Sequence, residues 1–344
     1  NGIGLFRAHN ADGSFQSNIL ENIPRDAEDF ANVHCTVKPL ALMEKLVQLF
    51  VPPAPETPGV GPWAPVWAKE KENSAPPKAG VDAAAIKTWD DLLATVKKLK
   101  AAGVTPIIAG GGDKWPIHFY WTHLALRLGG KSAFDAAQRG DAGGFGNEVF
   151  VQAGERFKQL VDLQPFQNGF LGATAPQAYG QFGDAKGGMT LMGNWIYNSQ
   201  KSNAADKKGL ADDAMGWFPF PAVAGGKGDP RETLGGINGW LVTKGAPKEA
   251  VEFLKYLTRS DAQRYMASQG FFIPVAKGAD RDMVNPFFKR NAVQLAASPY
   301  HQIFYDQMLG PSVGRVVNDV STDLAAGTTS PKEAANSIEQ ARKN

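Results

Sequence analysis

Two short segments place a tryptophan beside flexible backbone and hydrogen-bonding groups, which makes them the residues of this chain best suited to chemistry. Residues 189–195 end in Gly193, Asn194 and Trp195, and residues 235–240 read Gly-Gly-Ile-Asn-Gly-Trp. A sugar ring has apolar C–H faces that stack on an indole and a rim of hydroxyls that bond to amides, charged groups and main-chain donors. This combination of residue types therefore favours a carbohydrate ligand.

The bulk composition is that of an ordinary globular protein with enough material for two hydrophobic cores. Of the 344 residues, 43% are hydrophobic and 20% are charged. Lys plus Arg number 36, Asp plus Glu number 34, and the two signs are interspersed along the chain. No run of like charge would follow a phosphate backbone, so we expect no nucleic acid partner.

Membrane insertion and disulfide bonding are not expected either. The longest apolar stretch, residues 39–53, is interrupted by Glu44, Lys45 and Gln48 and falls short of the roughly 20 residues of a membrane helix. Cys35 is the only cysteine, which excludes an internal disulfide and a multi-thiolate metal site and weakly suits an exported protein. No charged-then-apolar segment opens the sequence, so we expect that an export signal was already removed or never present.

The elements that would position the tryptophans alternate between helices and strands from Lys87 onward, which indicates an α/β protein. Thr88 followed by Asp91 predicts a capped helix that ends before Gly103. Strands are predicted at residues 104–109, 188–192 and 237–243, and helices at 116–128, 148–163, 176–182, 283–297 and 300–309. Further helices are predicted to begin at residue 246, after a capping Ser260 and after a capping Ser330. The region before residue 80 is proline-rich and irregular, with helical spacing only at residues 40–50.

Several sequence blocks follow one another in an order that is more specific than any single block. They are Thr88-Trp89-Asp90-Asp91-Leu92-Leu93, Asp113-Lys114-Trp115-Pro116, Phe182-Gly183-Asp184-Ala185-Lys186-Gly187-Gly188-Met189, Gly193-Asn194-Trp195, Gly235-Gly236-Ile237-Asn238-Gly239-Trp240-Leu241 and Lys244-Gly245-Ala246-Pro247-Lys248-Glu249-Ala250. From about Lys87 to the C terminus, the chain resembles the extracellular solute-binding proteins of bacterial ABC sugar importers, the group that includes maltose-binding protein. Before Gly80 it departs from that family's pattern.

The resemblance implies an α/β fold of the type II periplasmic-binding-protein kind, with two lobes joined by hinge strands. The first lobe would comprise residues 1–82 and about 258–312, and the second lobe 83–257 and about 313–344. A mono- or short oligosaccharide would be captured by lobe closure, in the periplasm or on the extracellular face of a bacterial membrane, and delivered to an ABC permease. We expect a monomer without cofactor or metal.

Trp195 is the first candidate ligand contact, because the resemblance implies that this tryptophan stacks on a sugar ring from the second lobe. The alternative is a core tryptophan that covers the end of a strand. Gly193 and Asn194 favour a turn from strand to helix at a cleft edge, where the first amides of the helix are free to bind a ligand. Asn194 is therefore a candidate contact as well.

Trp115 is a second aromatic candidate, since the resemblance aligns it with a residue that contacts sugar from a loop of the same lobe. Asp113 and Lys114 would then be partners for sugar hydroxyls. Packing of the loop against Pro116 explains Trp115 equally well.

The glycine-rich block supplies the remaining candidates. Gly235 and Gly236 would let the main chain approach a ligand, and Asn238 offers both a donor and an acceptor, although a bulge in a strand near the hinge explains the glycines equally well. Trp240 would lie on the same strand face as Asn238, but burial in the core is the preferred interpretation. Arg315 aligns distantly with a cleft-facing segment, and a solvated surface arginine is an equal alternative.

Enzymatic signals are weak, and we do not expect an enzyme. The three glycines 110–112 lack the spacing and the Lys-Ser or Lys-Thr of a phosphate loop, and no Gly-x-Ser-x-Gly motif occurs. His118 and His123 are five residues apart, which does not match the four-residue zinc pattern. Two alternatives stay open: a carbohydrate-active enzyme such as a glycosidase, and a binding protein of the same fold for a non-sugar solute such as a polyamine, a peptide or a metal complex.

Overall fold

The computed structural model describes residues 81–236 and 239–344, and the helical pattern predicted at residues 40–50 lies outside them. The chain divides into two compact units. Of the described residues, 81–236, 270–273 and 284–344 form the larger unit, and 239–269 and 274–283 form the smaller one. The lobes predicted from sequence have other boundaries than these units: they place residues 239–257 in the second lobe, with 83–236, and residues 284–312 in the first lobe. Those lobe boundaries stay a prediction.

Helices dominate the described residues. In chain order they are α1 Trp89–Ala101, α2 Trp115–Arg139, α3 Glu148–Val161, α4 Ala175–Gly183, α5 Ile196–Asn203, α6 Lys248–Leu257, α7 Ser260–Ser268, α8 Pro286–Ala297, α9 Tyr305–Met308, α10 Gly310–Ala326 and α11 Pro331–Lys343. Helices α6 and α7 belong to the smaller unit. Short 3-10 turns occur at Ala83–Ala85, Asp141–Gly146, Asp212–Ala214 and Ala279–Asp282.

Local capping signals place the ends of several helices correctly. The Thr88 hydroxyl accepts a hydrogen bond from the Asp91 amide at 3.2 Å, and the Asp91 carboxylate accepts one from the Thr88 amide at 2.8 Å. The predicted capping box of α1 is therefore confirmed, and Ser330 forms the same motif with Glu333 at α11. Helix α7 differs from the prediction, because it begins at Ser260 itself and no side chain caps it.

Helix α2 runs through the hydrophobic core of the larger unit. Trp121 and Leu124 have no exposed surface, and the Tyr120 ring stacks on Phe157 with ring centroids 5.3 Å apart. The helix is broken at Gly130, whose φ of 63° and ψ of −170° are readily adopted only by glycine. Helices α3 and α10 pack on the same core, which anchors the helix that carries Trp115 and Phe119.

Strand pairing is sparse, and it differs from the predicted strands. Strand β1 Thr233–Gly235 pairs in parallel with strand β2 His301–Ile303. The segments predicted as strands at 104–109 and 188–192 meet through one parallel bridge, between Ile107 and Met189. The strand predicted at 237–243 is wrong for residues 239–243, which have no strand structure; residues 237–238 lie outside the description. The predicted helix at 300–309 is likewise wrong at its start, where β2 pairs with β1.

The smaller unit is held together by side chains of α7. The Gln263 carbonyl oxygen accepts hydrogen bonds from the amides of Val275 and Ala276, and Arg264 forms an ion pair with Asp282 at 2.7 Å. Within the part of the chain that the structure describes, no helix has the length and apolar character needed to cross a membrane.

Candidate functional site

Four aromatic side chains of the larger unit come together although they lie far apart in the sequence. They are Trp115 and Phe119 on α2, Trp195 before α5, and Phe304 after β2, and we call them the aromatic cluster. The ring centroids of Trp115 and Trp195 are 6.2 Å apart, and Phe119 stacks on Phe304 at 4.7 Å. Both phenylalanines are buried, whereas both tryptophans are half-buried. The cluster therefore has a buried phenylalanine base and two partly exposed indoles.

Trp195 occupies the turn into α5, as predicted. It is the N-cap residue of that helix, and the Ile196 amide donates to the Gly193 carbonyl at 3.0 Å. The indole folds back over Gly193: a β-carbon at position 193 would lie 2.1 Å from the ring. Asn194 is half-buried in the same turn. Trp195 is partly exposed rather than buried in the core, and its contact with a ligand stays a prediction.

Asp113 has a different partner from the sugar hydroxyl expected of it. Its carboxylate accepts a hydrogen bond from the Ala175 amide at 2.7 Å. Ala175 is the first residue of α4, so the negative charge lies at the positive end of a helix, where it stabilises the unpaired amides. Asp113 thus joins the turn before Trp115 to the start of α4. Its contact with a ligand stays a prediction.

Lys114 and Arg315 belong to one exposed charged patch next to the start of α2. The Lys114 ammonium forms an ion pair with Asp319 at 2.6 Å, and this interaction raises the pKa of Lys114, while the nearby charge of Arg315 lowers it in part. Arg315 and Asp319 are one helical turn apart on α10. Because these side chains are exposed, the ion pair contributes little to stability. The patch therefore lies beside Lys114, the residue before Trp115, and its contact with a ligand stays a prediction.

The two glycines at the end of β1 approach the aromatic cluster through Phe304. The Phe304 amide donates to the Gly235 carbonyl at 2.9 Å, and a β-carbon at Gly236 would lie 3.1 Å from the Phe304 ring. A β-carbon at Gly235 would lie 2.7 Å from the His301 ring. Close packing against residues 301–304 therefore accounts for the small size of both residues, and their contact with a ligand stays a prediction.

Two candidates cannot be assigned to the aromatic cluster. Asn238 lies outside the described residues. Trp240 lies in the smaller unit with 59% of its surface exposed, so the expectation that it is buried in the core was wrong. The physical reason is that residues 239–243 pair with no strand and therefore have no buried face.

Sequence reasoning missed Phe119, Phe304 and Tyr179. Phe119 follows Trp115 by four residues on a helix, a spacing that places both on one face, so this signal was available. Tyr179 accepts a hydrogen bond from the Trp195 indole N–H at 3.1 Å. Neither Phe304 nor Tyr179 carries a local signal, because each reaches the cluster through tertiary packing alone.

His118 lies beneath the cluster and is fully buried. Its Nδ1 is 2.7 Å from the Trp115 carbonyl oxygen, and its Nε2 is 3.7 Å from an Asp306 carboxylate oxygen. Burial lowers the pKa of His118 below 6.5, and the Asp306 carboxylate opposes this shift in part. Burial also lowers the pKa of His123 well below 6.5, as does the charge of Arg127. Both imidazoles are therefore neutral in the folded protein at neutral pH.

We expect the free energy of unfolding to decrease as the pH falls below 6.5, the ordinary pKa of histidine. In that range the unfolded chain binds protons that the folded chain excludes from His118 and His123, so stability present above pH 6.5 is lost as the pH falls toward the lower folded pKa values. Each histidine contributes at most about 1.4 kcal/mol per pH unit. Urea denaturation at a series of pH values between about 7.5 and 5.5 measures the slope.

A variant with both His118→Gln and His123→Gln isolates this effect. Its free energy of unfolding at pH 7.5 is expected to be lower than that of the unmodified protein. Between pH 7.5 and 5.5, however, its free energy of unfolding should change less with pH. Equal slopes in the two proteins would show that these histidines do not titrate on unfolding.

One cavity of the described residues lies apart from the aromatic cluster. A surface depression of about 470 Å³ beside α4 is lined by small and polar residues, among them Gln177, Gln181 and Asp184, and by no member of the aromatic cluster. The described residues also contain no group of three His, Cys, Asp or Glu side chains placed to hold a metal ion.

Comparison with known proteins relates this chain to transport receptors. It is 25% identical over 277 residues to an uncharacterized ABC transporter extracellular-binding protein of Pyrococcus horikoshii, covering 78% of this chain and 58% of the relative. It is 26% identical over 231 residues to a multiple sugar-binding protein of Streptococcus mutans, covering 64% of this chain and 52% of the relative. The chain thus spans less than two thirds of the length of either relative.

Solved structures show the same fold. A protein from work on xylan utilization by the thermophilic bacterium Caldanaerobius polysaccharolyticus matches with a TM-score of 0.67 and 25% identity, over 77% of this chain and 67% of that one. A chitin oligosaccharide binding protein matches with a TM-score of 0.67 and 24% identity, over 78% and 67%. The predicted α/β fold of the type II binding-protein kind is confirmed. A family model for bacterial extracellular solute-binding proteins matches residues 46–264, more than half of the chain, and the protein belongs to that family.

Proposed function

We propose that this protein binds a mono- or short oligosaccharide outside the cell membrane and delivers it to an ABC importer. The observation that carries the proposal is the pair of partly exposed indoles, Trp115 and Trp195, with ring centroids 6.2 Å apart over a buried aromatic base. Indole faces bind the apolar faces of sugar rings, and exposed aromatic surface is otherwise unfavourable in water. The similar proteins support this proposal, since they include a multiple sugar-binding protein and a chitin oligosaccharide binding protein.

The energetics of such a site are adequate for transport. Stacking of a ring on one indole contributes about 1–3 kcal/mol, by analogy with nucleobases, and a hydrogen bond to a charged group about 1.5–3 kcal/mol. A dissociation constant in the micromolar range corresponds to a binding free energy of roughly 8 kcal/mol. Two stacked indoles and two charged hydrogen bonds from the patch around Lys114 and Arg315 would together supply this amount.

Capture by closure of the two lobes, hand-over to a permease and a place in the periplasm or on the outer face of the membrane are parts of the same proposal. A sugar that contacts both lobes stabilises the closed form by its extra contacts there, and the permease would distinguish closed from open protein. This mechanism needs no catalysis, and we propose that the protein acts as a receptor rather than an enzyme.

No observation favours a glycosidase over a receptor. Hydrolysis of a glycosidic bond needs two carboxyl groups roughly 5–10 Å apart on either side of it. Each carboxylate beside the segments that carry the cluster has a protein partner: Asp113 accepts from the Ala175 amide, Asp319 pairs with Lys114, and one oxygen of Asp306 accepts from the Asn318 side chain.

A thermal-shift screen tests the proposal directly. A ligand present at 100 times its dissociation constant stabilises the folded protein by about 2.7 kcal/mol. We expect mono- or oligosaccharides to raise the melting temperature and polyamines or small peptides to leave it unchanged. Stabilisation by the polyamines or peptides alone would contradict the proposal, and turnover of a labelled glycan on prolonged incubation would indicate an enzyme.

Replacement of Gly193 by alanine is expected to weaken sugar binding without unfolding the protein. The added methyl group would lie 2.1 Å from the Trp195 ring, which must therefore move. Because Trp195 is partly exposed, its ring can turn toward solvent without unfolding the protein, but it then loses its hydrogen bond to Tyr179 and its stacking geometry. We expect affinity to fall by up to about tenfold, which corresponds to ~1.4 kcal/mol of stacking, as measured by isothermal titration calorimetry.

Gly216→Ala is the matched control, because a β-carbon at Gly216 meets no atom within 4 Å. Its sugar affinity should equal that of the unmodified protein. If Gly193→Ala bound sugar as tightly as Gly216→Ala, the orientation of the Trp195 ring would not matter for binding.

A further inference from the structure

Tyr179 on α4 has its hydroxyl between two residues of the segment that carries Trp195. The Trp195 indole N–H donates to the Tyr179 oxygen at 3.1 Å, and the Tyr179 hydroxyl lies 3.7 Å from the Met192 sulfur, to which it donates. Met192 and Trp195 stand on either side of Gly193, against which the indole rests. The phenol oxygen therefore accepts from the Trp195 ring, and its proton is donated to the Met192 side-chain sulfur, so both hydrogen-bonding functions of the hydroxyl are used.

Tyr179 is itself rigidly held. Its side chain is 8% exposed, and α4 begins with a capping box between Thr174 and Gln177. The Asp113 carboxylate, from the turn that precedes Trp115, bonds to the first amide of the same helix. Helix α4 is thus attached at its start to the Trp115 segment and at Tyr179 to the Trp195 ring. Burial raises the pKa of Tyr179, so the hydroxyl keeps its proton at neutral pH.

The hydrogen bond decides which part of Trp195 is available to a ligand. The indole N–H is the only polar donor of the ring, and Tyr179 occupies it. The ring also meets Gly193 on one side and the Phe304 edge at a centroid distance of 6.3 Å. A ring held at these points offers a ligand its apolar face rather than its polar edge.

We propose that Tyr179 is a positioning residue, which fixes the Trp195 indole so that its face stacks on the sugar and which acts on binding only through Trp195. This inference rests on the proposed sugar-binding function and adds a residue to its site. It also makes Trp195 a stacking surface rather than a hydrogen-bond donor to hydroxyls.

A double-mutant cycle tests the inference. Tyr179→Phe removes only the hydroxyl, and we expect sugar affinity to fall about three- to tenfold, the range of one net hydrogen bond. Trp195→Phe keeps an aromatic face but removes the N–H. In that background, adding Tyr179→Phe should change the affinity by less than about 1.5-fold, because the bond is already absent. An undiminished effect of Tyr179→Phe in the Trp195→Phe protein would show direct contact with the ligand and overturn the inference.

A spectroscopic readout separates positioning from a general loss of structure. In protein labelled with ¹⁵N-tryptophan, the Trp195 indole N–H signal should shift and exchange faster with solvent in Tyr179→Phe, while the buried Trp121 signal stays in place. Tyr197→Phe is the matched control: Tyr197 is equally buried and its hydroxyl bonds to Asp212, so its loss should change neither the Trp195 signal nor the sugar affinity.

The outcomes distinguish this inference from the proposed function. If Trp195→Ala weakens sugar binding but Tyr179→Phe does not, Tyr179 does not position the ring, and the sugar site stands. If neither variant affects sugar binding while the indole signal still moves in Tyr179→Phe, the hydrogen bond is real but the proposed site is wrong, and the inference is overturned with it.

Discussion

Trp195→Ala is expected to weaken sugar binding at least about tenfold, since one stacked ring contributes about 1–3 kcal/mol. The variant removes one of the two partly exposed indoles and leaves the buried pair Phe119 and Phe304 in place. Isothermal titration calorimetry measures the change in affinity. Because the Trp195 indole is only partly buried, the melting temperature of the free protein should fall much less than in Trp121→Ala, whose ring has no exposed surface.

Trp217→Ala is the matched control for that experiment. Trp217 is also half-buried in the larger unit, but it lines a small cavity with Tyr197 and Phe287 and is not part of the aromatic cluster. Its removal should leave sugar affinity unaltered. If Trp195→Ala and Trp217→Ala bound sugar equally well, Trp195 would be excluded from the site.

Trp121→Ala is expected to lower the free energy of unfolding by about 3–5 kcal/mol, the usual cost of truncating a large core aromatic residue. Trp121 has no exposed surface and packs on Phe150 and Tyr305, with ring centroids 5.7 and 5.9 Å away. Its indole N–H also donates to the Phe150 carbonyl at 3.2 Å, and this acceptor would lose its partner. Urea denaturation at neutral pH measures the loss.

Trp121→Phe separates the two contributions, because it keeps most of the buried apolar volume and removes the N–H. Its free energy of unfolding should lie between that of the unmodified protein and that of Trp121→Ala. A loss below about 1 kcal/mol in Trp121→Ala, the size of a typical surface substitution, would mean that α2 is not the centre of the core.

Local signals in the sequence gave the helices, whereas the strands depended on partners that the sequence does not reveal. Thr88 and Ser330 were identified correctly as caps because a capping box involves only four consecutive residues. The segment at 237–243 has a strand-like composition, yet β1 lies at Thr233–Gly235, where residues 301–303 provide the pairing edge. Its register is set by contacts about 68 residues apart in the chain, which no local pattern encodes.

Only part of the candidate site was predicted, because the rest also depends on contacts between distant parts of the chain. Trp195 was identified from its surroundings in the sequence and Trp115 from the family resemblance, and the structure brings them together. The carboxylate of Asp113 is of a type that accepts hydrogen bonds from sugar hydroxyls, but it accepts one from an amide 62 residues further along the chain. Phe304 and Tyr179 reach the cluster only through tertiary packing. Residue type thus indicated the exposed part of the site, and the buried support needed the three-dimensional structure.

The central claim is that Trp115 and Trp195 together form the surface on which a sugar stacks. It is tested most directly by titrating ¹⁵N-tryptophan-labelled protein with the sugar that gives the largest thermal shift and following the indole signals. We expect the Trp115 and Trp195 signals to move with one common dissociation constant, while those of the buried Trp89 and Trp121 move little. Saturation with sugar that leaves both the Trp115 and Trp195 signals in place would contradict the claim.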